Sequence, residues 1–177
     1  MNRVFLIICY IYKFIFSKLN PIKYATFLGV NLGENIKFYG MKPGMFSTEP
    51  WLISIGDNSH ITSGVTFITH DGGTLILRKK VPDLEITAPI TIGSNVYIGV
   101  NVILLPGTIL GDNCIVGAGA VLKGNYPSGS VIAGIPGKVI KTTDEYLEKA
   151  KLNSLKVGHL SGVEKEKELK KIFKVKN

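Results

Sequence analysis

The sequence predicts an all-β fold in which short strands wind into a three-sided prism, and a few regularities predict it. In residues 90–124, ITIGSNVYIGVNVILLPGTILGDNCIVGAGAVLKG, every sixth side chain is aliphatic: Ile92, Ile98, Leu104, Leu110, Val116 and Leu122. Neither the helical period nor the alternation of a strand gives that spacing, whereas units of six with three to a turn do. The position four after each aliphatic, Val96, Val102, Thr108, Cys114 and Ala120, stays small or β-branched until Tyr126 ends the series. The tetrapeptide Ile/Leu-Gly-x-Asn begins at Leu32, Ile55, Ile92 and Leu110, and glycine and asparagine accept the left-handed backbone of a sharp corner. Ile55, Ile61 and Phe67 keep the same step upstream. A load of 20 glycines in 177 residues suits frequent tight turns rather than long helices.

In such a prism each repeating aliphatic points to the axis, and its burial contributes about 1.5–3 kcal/mol. Stacked coils have open ends that must be covered. The apolar N-terminal segment, 1–27, and the segment after the prism are the expected covers. The prism itself is expected over 28–142, followed by a helix and basic tail over 143–177. Thr142-Thr143-Asp144-Glu145 offers capping residues before YLEKAKL, and Glu164 to Phe173 is a charged, helix-prone run.

The N-terminus needs its own reading. Val4 to Tyr12 is an unbroken apolar run, but Lys13 interrupts it well short of the roughly twenty residues a spanning helix requires. No small-residue cleavage pattern follows, as a secretory signal would show. Three readings stay open: a helix packed on the body or on a neighbouring subunit, an anchor in a membrane interface, or an atypical signal. The formal net charge of +8 favours anionic partners such as phosphates or an acidic membrane surface. Nucleic acid is not expected, because no binding motif or base-stacking array accompanies the charge. Cys9 and Cys114, the only cysteines, give neither a disulfide framework nor metal spacing, which points to a reducing, cytoplasmic setting.

His70 poses the functional question. It closes the run VTFITH at 65–70, ahead of Asp71-Gly72-Gly73 and a seventeen-residue interruption, GTLILRKKVPDLEITAP at 73–89. Loops of that length are functional or disordered more often than idle. Together with the six-residue register and the closing phrase AGIPGKVIK at 133–141, this pattern resembles the hexapeptide-repeat acyltransferases with a left-handed parallel β-helix. Within them it is most similar to O-acetyltransferases of bacterial surface-polysaccharide biosynthesis, which share EPWLISIGDNSHITSGVTFITHD, 49–71, in similar form.

The resemblance implies acetyl-CoA as co-substrate, no metal, a homotrimer with active sites between subunits, and a carbohydrate acceptor. A small free sugar or a drug is the alternative acceptor. It makes His70 the general base, since an imidazole titrating near roughly 6.5 can take a proton from a sugar hydroxyl as it attacks a thioester. It sets a backbone N–H near Gly99 and Val100 at the oxyanion. Val100 and Ala118 would meet the pantetheine arm, and Tyr97 would wall its tunnel. Lys123 and Gly124 fall on a coenzyme-binding pair, and Lys138 and Lys141 would face the phosphates. The 73–89 excursion would reach over a neighbour's site, with Arg78 to Lys80 on an acidic acceptor, a phosphate or solvent. Glu49 and Trp51 are assigned to the acceptor end, Trp51 by stacking on a sugar unless it is core. Asp71 either orients His70, binds the acceptor or simply forms the turn. His60 reads as an exposed corner residue, and His159 lies outside any motif.

Rival classes are weaker. A zinc hydratase on the same prism needs three histidines on adjoining coils, and only His60 and His70 lie in the prism. A non-catalytic scaffold leaves His70 and PGKVIK without a purpose. A nucleotide-sugar N-acetyltransferase would carry a further nucleotide-binding domain, and no glycine fingerprint of that kind is present.

Overall fold

The chain turns the corners of the prism on asparagine. In the computed structural model, which describes residues 3–175, Asn35, Asn58, Asn95 and Asn113 all adopt left-handed backbone, with φ between 54° and 56°. These are the asparagines of the four recurring tetrapeptides. Their side chains pair from coil to coil, Asn95 Nδ2 donating to Asn113 Oδ1 at 2.7 Å and Asn35 Nδ2 to Asn58 Oδ1 at 3.3 Å. The glycine of each tetrapeptide serves another end. A Cβ on Gly56 would lie 2.6 Å from the Gly93 carbonyl carbon, and one on Gly111 would lie 2.5 Å from the Ser128 nitrogen. Close stacking of corner on corner demands glycine there, not the sign of φ.

The first coil carries β1 (Asn31–Leu32) and β2 (Lys37–Phe38). The second carries β3 (Ile53–Ile55), β4 (His60–Ile61) and β5 (Thr66–Phe67), and the third β6 (Ile90–Ile92), β7 (Tyr97–Ile98) and β8 (Ile103–Leu104). The fourth holds β9 (Ile109–Leu110), β10 (Ile115–Val116) and β11 (Val121–Leu122), before β12 (Asn125–Tyr126) and β13 (Ser130–Ala133) open a fifth. Their stacking gives a parallel sheet on each face: β1-β3-β6-β9-β12, β2-β4-β7-β10-β13 and β5-β8-β11. Leu110 sits on Ile92 and Val116 on Ile98, eighteen residues apart in each case. All the repeating aliphatics, and the small residues four places on, are buried along the axis.

The register breaks at Tyr126, where the sequence series ends. Tyr126 pairs with Leu110, sixteen residues earlier, because the chain cuts the corner at Lys123-Gly124, where Gly124 has φ 95°. The ring therefore takes an axial place, and its Oη donates to the Gly137 carbonyl at 3.1 Å.

At the N-terminal end the expected cover is present, supplied mainly by the second of two helices. α1 (Arg3–Leu19) and α2 (Pro21–Leu28) form the N-terminus; α2 caps the first coil, burying Tyr24 and Ala25, and Phe16 near the end of α1 packs beside it. Asn20 starts α2 by accepting from Lys23 N, and Gly29 ends it at φ 99°. Most apolar side chains of α1 stay exposed instead of sealing the prism. β14 (Lys138–Thr142) turns back antiparallel on β13 and closes the edge of the second sheet. These elements belong to one compact unit, Met1–Thr143; a second, Asp144–Asn177, contains most of α3 (Thr143–Asn153) and all of α4 (Gly162–Ile172), neither of which buries a side chain.

Candidate active site

Two departures from the coil rhythm bring the reactive side chains together. One runs between β2 and β3 and ends in a 3-10 turn at Pro50–Leu52; the other runs between β5 and β6. Phe46, in the first, bridges Phe67 in parallel, with Phe67 N donating to Met45 O at 2.9 Å and Ser47 N to Phe67 O at 3.1 Å. This register lays Phe46-Ser47-Thr48-Glu49 along Phe67-Ile68-Thr69-His70. Glu49 thus falls beside His70, each three residues past its phenylalanine. The second departure is pinned at its stem. His70 bridges Thr87 antiparallel, Asp71 N donates to Ile86 O at 2.8 Å, and Ala88 N to Thr69 O at 2.9 Å.

Glu49 Oε2 stands 2.9 Å from His70 Nδ1. Ser47 Oγ and Thr48 Oγ1 lie farther from the same nitrogen, at 3.4 and 3.3 Å. The carboxylate is the nearest partner and the only charged one, so in the neutral ring Nδ1 carries the proton and Nε2 keeps its lone pair. Among the described residues no group bonds Nε2. Hydroxyls hold the carboxylate in turn: Thr48 Oγ1 donates to Oε1 at 2.5 Å and Thr69 Oγ1 to Oε2 at 2.6 Å. These two bonds, and then the one from His70, lower the Glu49 pKa to about 2. Glu49 is therefore a fixed anion throughout the neutral range.

Two clefts share His70, Asp71 and Gly72. The smaller, about 200 Å³, is polar, lined by Thr48, Glu49, Thr74, Arg78 and Glu85. The larger, about 400 Å³, is walled by Ile68, Ile86, Ala88, Leu105 and Pro106, with Lys123 as its cation. The imidazole stands where the two meet.

Several expected residues fall into place differently. Asp71 does not bond His70; its Oδ1 accepts from Gly73 N at 2.9 Å and starts the 3-10 turn Gly72–Leu77. Glu49, expected at the acceptor end, lines the polar cleft and is also the partner of His70. The signal for it was the repeated Phe-x-Thr before Glu49 and before His70. Arg78 lines the polar cleft but is engaged, its Nε donating to Leu84 O at 3.0 Å and its fork to Glu85. Trp51 is 64% exposed, so it is not core. His60 is a strand residue rather than a corner, stacked on Tyr39 with ring centroids 5.8 Å apart and bonded to its Oη.

The residues expected at the coenzyme divide between two corners. Lys123 and Gly124 follow β11, on the His70 corner. Tyr97, Gly99, Val100 and Ala118 follow or lie on β7 and β10, at the far end of a prism side roughly 15–20 Å long at about 3.3 Å per residue. Val100 and Ala118 stack there one coil apart, Gly119 N donating to Val100 O at 2.8 Å. The Gly99 N–H is already bonded, to Val116 O at 2.9 Å, which removes it as an oxyanion donor. The Val100 N–H has no partner among the described residues. Lys138 and Lys141 pair with Ala133 and Val131 because a bulge takes up Ile140. The bulge brings both lysines to the same outward face, which their spacing in a regular strand would not. No three His, Cys, Asp or Glu side chains among the described residues cluster as a metal site would need.

Residues 89–124 match the model of the bacterial transferase hexapeptide, six repeats. Protein CapG of Staphylococcus aureus is 43% identical over 119 residues, covering 67% of this chain and 69% of its own. The chain belongs to the hexapeptide-repeat transferase family. It is accordingly an acyltransferase with the left-handed parallel β-helix of that family. WbbJ of Escherichia coli (strain K12), whose name assigns it provisionally to lipopolysaccharide biosynthesis as an O-acetyl transferase, is 36% identical over 97 residues. That match covers half of each chain. The solved maltose O-acetyltransferase of Clostridium difficile 630 superposes with a TM-score of 0.50 at 30% identity, over 64% of this hexapeptide-repeat chain and 59% of its own.

Proposed function

We propose that this transferase moves an acetyl group from acetyl-CoA to a hydroxyl of a carbohydrate in surface-polysaccharide biosynthesis, with His70 as general base. One observation carries the reading: a single imidazole, fixed at Nδ1 by Glu49 and open at Nε2, joins a polar cleft to an apolar one. The polar cleft suits a sugar, whose hydroxyls can bond Thr48, Glu49 and Asp71. The apolar cleft suits the acyl end of the pantetheine arm.

The step then balances simply. Nε2 accepts the acceptor hydroxyl proton as the oxygen attacks the thioester carbonyl carbon. The C–O bond forms and the carbonyl electron pair moves to oxygen. When the C–S bond breaks, sulfur leaves with its electron pair and recovers the proton from His70, giving the acetyl ester and the free thiol. Glu49 holds the tautomer and stabilises the imidazolium between the transfers.

The site is completed by a second copy. His70 with Lys123 occupies one corner, and Val100, Ala118 and Tyr97 another, so one chain cannot bring the imidazole and the Val100 N–H to the same thioester carbon. A ring of three copies can set one corner against the other. In that arrangement the Val100 N–H meets the oxyanion, and Lys138 and Lys141 face the phosphates.

Thiol release from acetyl-CoA with a panel of glycan acceptors tests the reading. His70→Ala is expected to lower transfer by about 10²–10⁴-fold while acetyl-CoA still binds. Unchanged turnover overturns the assignment of His70. Mass spectrometry of surface glycan from cells with and without the protein identifies the acceptor; loss of no acetyl group there overturns the polysaccharide reading.

A further inference from the structure

We infer that α1 lies in the surface of an anionic bilayer. Ile8, Ile11, Tyr12, Ile15 and Leu19 recur at the spacing of one helical stripe. They stand 60%, 49%, 65%, 50% and 81% exposed. The body of the protein does not reach them. Contact comes near the C-terminal end of the helix, where Ser17 is buried and Phe16 meets Tyr24 edge-on at 5.5 Å. A contiguous apolar face of this kind marks an interaction surface.

Charge decides what covers it. The chain has no Asp or Glu before Glu34, while Arg3, Lys13, Lys18 and Lys23 fall in that stretch. Two copies joined through this helix would bring like charges together with no carboxylate to answer them. Anionic headgroups answer the charge while the acyl boundary takes the stripe. The 17-residue helix is about 25 Å long, against a hydrocarbon core of about 30 Å. No described helix is long and apolar enough to cross a membrane. The geometry therefore fits a helix lying in the plane of the interface, with Lys18 on the flank of the stripe reaching headgroups along its stem and Lys13, on the far side, adding attraction within a Debye length.

Co-sedimentation of the full chain with vesicles tests this independently of acetyl transfer. The protein is expected to pellet with phosphatidylcholine–phosphatidylglycerol vesicles and much less with phosphatidylcholine alone, with binding weakened by salt. Lys13→Glu with Lys18→Glu should lower binding to the anionic vesicles by at least about tenfold, at about fivefold per lysine. Ile8→Asp with Ile15→Asp should abolish it, with the thermal transition unchanged as a control for folding. Failure of the full chain to bind anionic vesicles overturns the inference, as does equal binding to both kinds. So does sedimentation velocity showing an assembly that Ile8→Asp with Ile15→Asp dissociates while vesicle binding is absent, because a second copy then covers the stripe.

Discussion

The stack from Ile92 to Leu122 and the corner at His70 are made of the same six-residue unit, yet they serve opposite ends. In the stack every unit keeps step, every aliphatic reaches the axis, and eighteen residues return the chain to its own register. Its side chains are spent on packing, and what it offers a ligand is a fixed backbone edge such as the N–H of Val100. At the His70 corner the chain leaves the step twice, and the departures set a charged carboxylate beside an imidazole. Regularity supplies rigidity, and interruption supplies function. Small movements at a reacting centre are expensive, so the corner depends on the stack beneath it.

Perturbing each region should therefore act in a different quantity. The largest effect is expected at His70, where alanine removes acetyl transfer and leaves the fold. Leu104→Ala should do the reverse, lowering stability by about 2–5 kcal/mol through an axial cavity, read from a denaturant midpoint. Next, Glu49→Gln removes the charge that selects the tautomer of His70. Turnover should fall at least about tenfold with the acetyl-CoA KM little changed, because the effect lies in proton transfer. An unchanged turnover would return Glu49 to a purely structural role.

Smaller effects sharpen the contrast. Lys138→Ala with Lys141→Ala should raise the acetyl-CoA KM by roughly three- to tenfold, more at low salt, since exposed pairs are worth little and are screened. The smallest effect concerns pH. The Glu49 pKa is lowered in the folded chain to about 2, below its ordinary value near 4.5. Its ionised form then stabilises the fold fully above about pH 4.5, and this contribution is lost as pH falls toward 2. The stability of Glu49→Gln should lack that component of the acid slope.

The prism was legible because its cause is local and repeated. One aliphatic in six and an asparagine at each corner specify a strand, a turn and a face within a few residues. The end of the series at Tyr126 was legible too, but not its cause: a shortened coil that moves the ring into an axial place. The His70–Glu49 pair was half legible. His70 stands beside a conspicuous interruption, but Glu49 is brought to it by a bridge between Phe46 and Phe67, outside the six-residue pattern.

By itself, then, the sequence determined the coil, its period and the imidazole beside the loop, because these follow from the side chains of consecutive residues. Tertiary structure alone decided that Glu49 rather than Asp71 holds His70, that Gly99 has no free N–H, and that Lys138 and Lys141 share a face. Each of these depends on how separate coils stack, and the relative register of two strands is a property of their contact rather than of either strand.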